Sequence, residues 1–540
     1  MAASDFAEAP RRAAVLDEAH LGDIRGALGT IRHGDVAPRE GWPARLRTLL
    51  AILGPGLIVM VGDNDAGAFG TYTQAGQNYA TTLLWTLLLL VPVLYVNQEM
   101  VLRLGAVTGV GHARLILERF GRFWGAFSVI DLFLLNALTI VTEFIGISLA
   151  LGFLGLPKEV GVVASAAVII AAAGTGSFRR FERFSLLLVF GSLLLLPIAL
   201  WVHPPVTEIT RDLIVPRLPA GGTLSDVMLL VIAIVGTTIA PWQLFFQQSY
   251  VIDKRITPRF MRYERADLWI GIVLVILGAV AMMAFTAAAF AGRPEFGNFQ
   301  DAGAVAAGLA KYAGHLAGVC FAIALIDASI IGAMAVSLST AYAIGDVLSL
   351  KHSLHRKPGE AKAFYVVYGG LVAVAAALVL APGTPLGLLT NAVQTLAGVL
   401  LPSATVFLLL LSNDRAVLGP WVNGRWLNLF TGVVIAVLVM LSVILTASVL
   451  YPAMSGRTIL AILLGGTVFT AAIGAALLLA HPEERERAER ATWRMPPLAE
   501  LAPARMTRLT RLWMVVLRLY LVLAGGLVLL RIIELAVSGA

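Results

Sequence analysis

The chain has 540 residues, of which 58% are hydrophobic and 14% charged, and its mean hydropathy is +0.84. No water-soluble core can bury that much apolar surface, so the composition excludes an ordinary soluble domain and predicts a chain surrounded by lipid. The net charge of +7 does not indicate nucleic-acid binding, because Lys and Arg form short clusters between apolar runs, as in loops at a membrane surface. Cys320 is the single cysteine and lies in an apolar run, so an intrachain disulfide is excluded and a packed thiol is expected.

Residues 1–47 precede the first apolar run and carry several arginines among acidic residues and prolines. They lack an apolar segment followed by a cleavage site. We therefore expect a cytoplasmic N-terminal tail rather than a signal peptide.

About 13 stretches reach the length of roughly 20 apolar residues that a helix needs to cross a bilayer core. Their approximate limits are 48–77, 81–104, 124–152, 159–174, 184–202, 223–252, 266–291, 312–347, 363–381, 387–411, 427–450, 457–480 and 512–536. The domain division that follows is a transport core over 48–411, two accessory helices over 412–480, a cytoplasmic linker over 481–511 and a last membrane helix over 512–540.

Basic residues indicate the orientation of these spans, because loops on the cytoplasmic side are rich in Lys and Arg. The loops assigned to the inside contain Arg103, Arg114, Arg119, Arg122, Arg179, Arg180, Arg183, Lys254, Arg255, Arg259, Arg262, Arg265, Lys351, Arg356, Lys357 and Lys362. The loops assigned to the outside contain only Lys158, Arg211, Arg217, Arg293 and Arg457. The pattern predicts a multi-pass protein of the cell membrane with its N-terminus in the cytoplasm.

The first span is interrupted by the run 62–67, which reads Gly-Asp-Asn-Asp-Ala-Gly. Carboxylates at membrane depth are costly and usually face a protein-lined cavity, so Asp63 and Asp65 mark an ion or substrate path. We expect Gly62 and Gly67 to let the backbone leave helical geometry, which frees carbonyl groups for a cation while Asp65 supplies charge. The alternative is a re-entrant turn or a surface loop, which the apolar flanks disfavour.

The sixth span has a matching interruption over 236–241, where Pro241 lacks an amide hydrogen and releases backbone acceptors one turn earlier. A proline in a membrane helix is by itself usually only a kink. The two interruptions, however, lie at corresponding positions of two five-helix halves. That pairing predicts an inverted-repeat transporter with its site near the midplane of the membrane.

Short motifs with a fixed order and spacing run through residues 48–450. They are Gly54-Pro55-Gly56-Leu57, Asp65-Ala66-Gly67, Leu83-Leu84-Trp85, Gln98, the segment 103–109, Glu143-Phe144-Ile145-Gly146, Pro241, the segment 321–325, Gln394 and Leu401-Pro402. Together they resemble the Nramp family of divalent metal transporters. The resemblance implies an all-α polytopic membrane protein with a LeuT-like fold, in which helices one to five and six to ten are inverted repeats. Helices one and six are then broken, and further helices follow at the C-terminus.

Three departures from the family pattern change the expected chemistry. The usual Asp-Pro-Gly-Asn of the first helix reads Asp-Ala-Gly-Ala over 65–68, and Met-Pro-His of the sixth reads Ala-Pro-Trp over 240–242. The acidic pair of the third helix reads Ile140 and Glu143. Loss of the thioether removes a preference for transition metals, whereas Mg²⁺ prefers oxygen ligands and keeps several waters. The pattern resembles the Nramp-related magnesium transporter branch, which implies uptake of Mg²⁺ and Mn²⁺ without proton coupling.

The residues expected at the metal site are Asp65, Gly62, Thr237, Glu143, Asp63, Asn64, Thr238 and Gln394. Asp65 stands at the family's ligand position, although it can also cap the following half-helix. Gly62 is expected to contribute a backbone carbonyl, and the resemblance implies the same for Thr237, which stands at the family's coordinating position. Glu143 is expected to supply a second charge near the ion.

Two interpretations stay open for five further polar residues. Asp63 and Asn64 either bind the ion or its water, or face the outer vestibule. Thr238, Gln394 and also Gln243 either supply oxygen ligands or hydrogen-bond neighbouring helices.

Asp327 is a further intramembrane acid for which three roles stay open. It can pair with a basic residue, line the inner path or replace the missing proton acceptor.

The resemblance therefore implies a secondary transporter that takes up Mg²⁺ and Mn²⁺ by alternating access without proton coupling, and the residues at the breaks are compatible with it. The first alternative is a proton-coupled Mn²⁺/Fe²⁺ transporter of the Nramp type, and the second is a Na⁺-coupled organic solute carrier, since fold does not fix function. No phosphate loop or metal-hydrolase motif indicates an enzyme or a cofactor. The expected partners are the divalent cation and the lipid bilayer, with no nucleic acid and no obligatory protein partner.

Overall fold

The computed structural model describes residues 18–219, 221–382, 386–451, 456–479, 490, 493–501, 504 and 508–538. Within these residues the protein is helical, apart from short connections and one antiparallel hairpin of β1 (Ile24–Arg25) and β2 (Thr30–Ile31).

The helices are numbered in chain order. They are α1 (Trp42–Ile52), α2 (Pro55–Val61), α3 (Ala66–Tyr79), α4 (Leu84–Thr108), α5 (His112–Phe120), α6 (Arg122–Phe153), α7 (Lys158–Gly174), α8 (Phe178–Gly191), α9 (Leu195–Val202), α10 (Val206–Ile214), α11 (Leu224–Thr238), α12 (Pro241–Asp253), α13 (Met261–Phe290), α14 (Ala302–Tyr312), α15 (His315–Val347), α16 (Lys362–Leu380), α17 (Leu386–Ser412), α18 (Arg415–Leu418), α19 (Arg425–Leu450), α20 (Gly456–Leu479) and α21 (Arg508–Ser538).

Each predicted span coincides with one or more of these helices. Among the described residues, eight helical stretches are long and apolar enough to cross a bilayer, and ten if two bent helix pairs each count as one span. The short helices α5, α10 and α14 lie in segments that were predicted as loops. The hairpin lies within the segment 1–47 that was predicted as a tail. Helix α1 begins in that segment and continues into the first predicted span.

The first span contains a bend that the sequence did not indicate. The chain bends by 54° between α1 and α2, at Leu53 and Gly54. Pro55 starts α2 at a position where its missing N–H would be unpaired in any case, and Gly54 has φ +156°, which only glycine adopts readily. The chain therefore turns sharply before it enters the bundle.

The centre of the bundle holds the two broken spans in place. The long helices α6 and α15 pack along one another, and α13 packs against both α2 and α3. Helix α12 packs against α4 and α15. All seven residues of α2 and all thirteen of α12 are buried, so each broken span has a half enclosed by protein.

Candidate metal site

The break in the first span covers Gly62–Asp65, between the end of α2 and the start of α3. Its three polar side chains are buried, with Asp63 fully inaccessible. We expected both glycines to let the backbone leave helical geometry. In the structure Gly62 keeps a helical φ of −64°, and Gly67 lies inside α3. Space restricts both positions, to different degrees. A Cβ on Gly62 would lie 2.9 Å from the carbonyl oxygen of Ile58, closer than real contacts allow, whereas one on Gly67 would lie 3.2 Å from Asp65 Oδ1 and would require that side chain to shift by a few tenths of an ångström.

The break in the sixth span is where the sequence predicted it, and it is short. Helix α11 ends at Thr238 and α12 begins at Pro241, so only Ile239 and Ala240 lie between the helices. Proline at the first position of α12 leaves no N–H unpaired there. The last four carbonyl groups of an α-helix have no N–H donor within that helix, and in α11 these include the carbonyl group of Thr237.

Two buried hydrogen bonds join the two breaks. The hydroxyl groups of Tyr72 and Thr238 lie 2.6 Å apart. The side-chain amide of Gln243 donates to Asp63 Oδ1, and its carbonyl oxygen accepts from Gln98 at 2.8 Å. Helices α3, α4, α11 and α12 are thereby connected at one level of the bundle.

Asp65 and Glu143 form the carboxylate pair of the site. Asp65 caps α3 by accepting from the Ala68 amide at 2.9 Å, and Glu143 Oε2 accepts from the Ala66 amide at 3.1 Å. Gly332 of α15 abuts both, since a Cβ there would lie 3.0 Å from Asp65 Cβ and 3.0 Å from Glu143 Cδ. Glu143 is fully buried, and no N–H or O–H group among the described residues donates to its Oε1. One carboxylate oxygen is thus available beside Asp65.

A cavity of about 50 Å³ lies between the breaks. Its wall combines Asp65 of the first break and Ala240 of the second with Gly67 in the first turn of α3, Thr237 in the last turn of α11, and Thr139 and Thr142 of α6. The rest of the wall is aliphatic apart from Gly236 and Trp242. At 10–15 Å³ for each water, the cavity has room for about three to five water molecules.

The structure brings only part of the predicted set to this cavity. Asp65 and Thr237 line it, and Glu143 adjoins Asp65. Gly62, Asp63, Asn64 and Thr238 do not line it. Gln394 lies in α17, and its side chain is outside the described residues.

The remaining predicted side chains have bonds of their own. Asp63 is held by Gln243, the Asn64 amide donates to the Val275 carbonyl at 3.1 Å, and Thr238 donates to the Ile234 carbonyl at 2.6 Å. Within the described part of the chain, no three His, Cys, Asp or Glu side chains are placed to hold one metal ion together. A cation in this cavity would therefore meet one lining carboxylate, hydroxyl groups, backbone carbonyls and water.

Thr139 and Thr142 are functional candidates that the sequence interpretation missed. They lie on the face of α6 toward the cavity, and each hydroxyl donates to a carbonyl of its own helix. Their oxygen lone pairs remain available to a cation or to water. The signal was present in the sequence, because hydroxyl residues three apart next to Glu143 share one helix face.

Asp327 lies away from this cavity, where α15 faces the end of α8. A Cβ on Gly191 would overlap the Asp327 carboxyl group, and Asp327 Oδ2 has no hydrogen-bond partner in the structure. The described residues include no basic partner within ion-pair distance of it.

Comparison with known proteins shows which family has this sequence pattern. The family model described as natural resistance-associated macrophage protein-like, or Nramp, matches residues 56–448. A protein named divalent metal cation transporter MntH from Pectobacterium carotovorum is 26% identical over 420 residues, which cover 73% of this chain and 94% of that protein. A protein of the same name from Burkholderia ambifaria is 30% identical over 323 residues, or 55% of this chain and 70% of that protein.

Solved structures agree on the fold. A manganese transporter from Eremococcus coleocola, crystallised as a histidine-to-alanine mutant, superposes with a TM-score of 0.64 at 21% identity. The match covers 84% of this chain and 96% of that one. A complex of the same transporter with an aromatic bis-isothiourea compound gives a TM-score of 0.63.

Two broken helices that meet at a cavity inside an all-helical bundle define a multi-pass membrane protein of the transporter class with the LeuT-like fold. The family match extends over more than half of its length. The chain belongs to the Nramp family.

Proposed function

We propose that this protein carries divalent cations, Mg²⁺ and Mn²⁺, across the membrane by alternating access and without proton coupling. The observation that carries the proposal is the ligand chemistry of the cavity between the breaks. Among the described residues, its polar wall consists of Asp65 and the threonines Thr139, Thr142 and Thr237, with room for about three to five waters. This is the environment in which Mg²⁺ binds, through one or two carboxylates and retained water.

The relatives support the divalent class of cargo. The two curated relatives described above are named divalent metal cation transporters, and the superposed structure is named a manganese transporter. Mn²⁺ also accepts carboxylate, carbonyl and water ligands, so the same cavity suits it.

The preference for a hard ion follows from Ala240. In the family pattern a methionine thioether stands at this position, and soft sulfur ligands favour transition metals. Here the side chain at the cavity wall is a methyl group, and the freed space can hold water.

Absence of proton coupling follows from the substitutions at Ile140 and Trp242, where the family has an acid and a histidine. Ile140 is buried and apolar, and Trp242 lines the cavity. Neither side chain exchanges protons near neutral pH.

The proton-coupled Mn²⁺/Fe²⁺ alternative has one observation in its favour. Asp63 Oδ2 is buried and has no hydrogen-bond partner among the described residues, so Asp63, two residues before Asp65, is a candidate proton carrier. The organic-solute alternative is disfavoured, because the cavity has a volume of about 50 Å³ whereas pockets for such molecules have volumes of about 300–1,000 Å³.

Competition measurements in proteoliposomes test the cargo. Mg²⁺ in excess is expected to inhibit uptake of a Mn²⁺ tracer, and Fe²⁺ is not expected to inhibit more strongly than Mn²⁺. Strict selectivity for Fe²⁺ or Mn²⁺ over Mg²⁺ would contradict the proposal.

Ala240→Met should shift the preference toward transition metals. A thioether at the cavity wall adds a soft ligand and takes the space of water, so the ratio of Mn²⁺ to Mg²⁺ uptake is expected to rise about tenfold, equivalent to ~1.4 kcal/mol. Ala233→Met, on α11 and also at the cavity wall, is the control for bulk. Equal ratios in the two variants would mean that sulfur at position 240 does not set selectivity.

Gly332→Ala should slow transport, because the new methyl group would lie 3.0 Å from both Asp65 Cβ and Glu143 Cδ. Displacing either carboxyl group by a few tenths of an ångström is expected to lower the uptake rate about tenfold. Gly370→Ala on α16 has no atom of the described chain within 4 Å of its Cβ and should leave uptake unchanged. Tracer uptake at one protein density compares the two variants, and full activity of Gly332→Ala would argue against the carboxylate pair as the site.

The orientation and the domain division are part of the proposal. The N-terminus lies in the cytoplasm, residues 48–411 form the transport core, and the segments 412–480 and 512–540 are accessory membrane helices joined by a cytoplasmic linker over 481–511. The distribution of Lys and Arg among the loops supports this orientation.

A further inference from the structure

Residues 18–37, here called the N-terminal segment, are docked on one end of the bundle rather than extending from it as a tail. The segment folds into the β1–β2 hairpin, and its apolar side chains Ile24, Ala27 and Ile31 are at most 5% exposed. The hairpin thus belongs to the folded core at that end.

Four arginines at this end hold the main chain of the segment. Arg179 donates to the carbonyl groups of Gly26 and Gly29, Arg183 to that of Ala27, Arg255 to those of Ala19 and Asp23, and Arg259 to those of Asp35 and Ala37. The first pair belongs to α8 and the second follows α12. One short segment therefore ties two separate membrane helices together.

The turn of the hairpin lies directly on the end of α1. A Cβ on Gly26 would overlap the Ala51 carbonyl oxygen, and one on Gly29 would lie 2.9 Å from Ala51 Cβ. Only glycine permits this approach. The contact is two residues before the bend at Leu53 and Gly54.

A buried ion pair connects the hairpin to that bend. The Ala27 amide donates to Glu182 Oε2 at 2.6 Å, and Lys254 Nζ lies 2.7 Å from Glu182 Oε1. The same ammonium group donates to the carbonyl oxygens of Ile52 and Leu53, at 2.6 and 2.9 Å. Both side chains of the ion pair are fully buried.

The other side of the bend is held by Asp267 of α13. Its carboxylate accepts from the amides of Gly54 and Gly56, at 3.1 and 2.7 Å. Lys254 and Asp267 thereby satisfy the orphan backbone groups on both sides of the bend. With the hairpin docked, α2 is fixed in direction.

We infer that the N-terminal segment is a lock that holds α2 closed and must leave its seat before this end of the bundle opens. Helix α2 runs from the bend straight into the Gly62–Asp65 break, so its movement would open a path to the Asp65 cavity. The inference rests on the proposed function only in requiring a bundle that opens at this end, and it holds for any cargo.

Labelling of a buried cysteine tests the lock without transport. Met60 is fully buried in α2 between the bend and the break, so Met60→Cys in a Cys320→Ala background reacts with a charged maleimide only when α2 moves. Adding Gly26→Val forces the hairpin off Ala51, and the labelling rate is expected to rise about tenfold, as for a loss of ~1.4 kcal/mol of docking free energy. Leu28→Val changes an exposed residue of the same turn and should leave the rate unchanged.

A second matched pair decides the question if Gly26→Val fails to fold. Arg179→Gln removes the contacts with Gly26 and Gly29, whereas Arg180→Gln changes an exposed neighbour on the same helix. Faster labelling with Arg179→Gln alone supports the lock. Equal rates in the folded pair, or slower labelling with Arg179→Gln, would overturn it. Tracer uptake by the unmodified protein reports separately on the proposed function.

Discussion

Asp65→Asn is expected to lower Mg²⁺ and Mn²⁺ uptake by about 100-fold, or ~3 kcal/mol, the upper range for loss of an interaction with a charged group. Asp65 is the one carboxylate among the described residues that line the cavity. Asparagine caps a helix about as well as aspartate, so this variant removes the charge and keeps the start of α3. The comparison separates binding of the ion from capping, the two roles of this residue.

Asp301→Asn provides the matched control. Asp301 caps α14 in the same way, with its carboxylate accepting from the Ala304 amide at 2.8 Å, and it lies outside the cavity. Uptake by this variant should equal that of the unmodified protein. If Asp65→Asn transports normally while Asp65→Ala does not, the residue serves the helix and not the ion.

Lys254→Met is expected to destabilise the protein by about 3–5 kcal/mol, because it leaves Glu182 buried without its cation. Both partners are inaccessible to solvent, and the ammonium group also satisfies two carbonyl groups at the bend between α1 and α2. Loss of the cation thus affects the ion pair and the bend together. The effect is measured by thermal unfolding in detergent, with the loss of monodisperse protein as the readout.

An exposed ion pair gives the contrast for this variant. Lys311 lies 3.1 Å from Glu295, with 61% and 38% of the two side chains exposed. Lys311→Met should change stability by less than about 1 kcal/mol, as is usual for surface pairs. A similar loss of stability in both variants would contradict the importance assigned to burial of the Lys254–Glu182 pair.

The sequence was sufficient to locate the two breaks, because acids, glycines and proline are rare within apolar spans and each has a specific physical consequence. Both breaks are in the structure at the predicted positions. Asp65 and Glu143 were identified from the same signals, and Thr237 from the resemblance to the Nramp family. Each lies at or beside the cavity.

Features that depend on tertiary packing could not be predicted from the sequence. The direction of the Asp63 side chain depends on Gln243, which is 180 residues away in the chain. Gly62 differs, because its close contact is local: a Cβ there would lie 2.9 Å from the carbonyl oxygen of Ile58, four residues earlier in the chain.

The docked N-terminal segment shows the same limit more clearly. Its arginines and acids are typical of a solvated tail, since the sequence does not reveal that Glu182 and Arg179 of α8 bind its main chain. Burial of Ile24 and Ile31 becomes apparent only when the hairpin meets its seat.

Influx of Mg²⁺ into proteoliposomes with simultaneous recording of lumenal pH tests the central claim most directly. We expect Mg²⁺ to enter down its own gradient while lumenal pH stays constant, and an imposed pH gradient to leave the Mn²⁺ flux unchanged. Proton uptake in fixed proportion to the metal, or Mn²⁺ flux with no Mg²⁺ flux, would contradict the account.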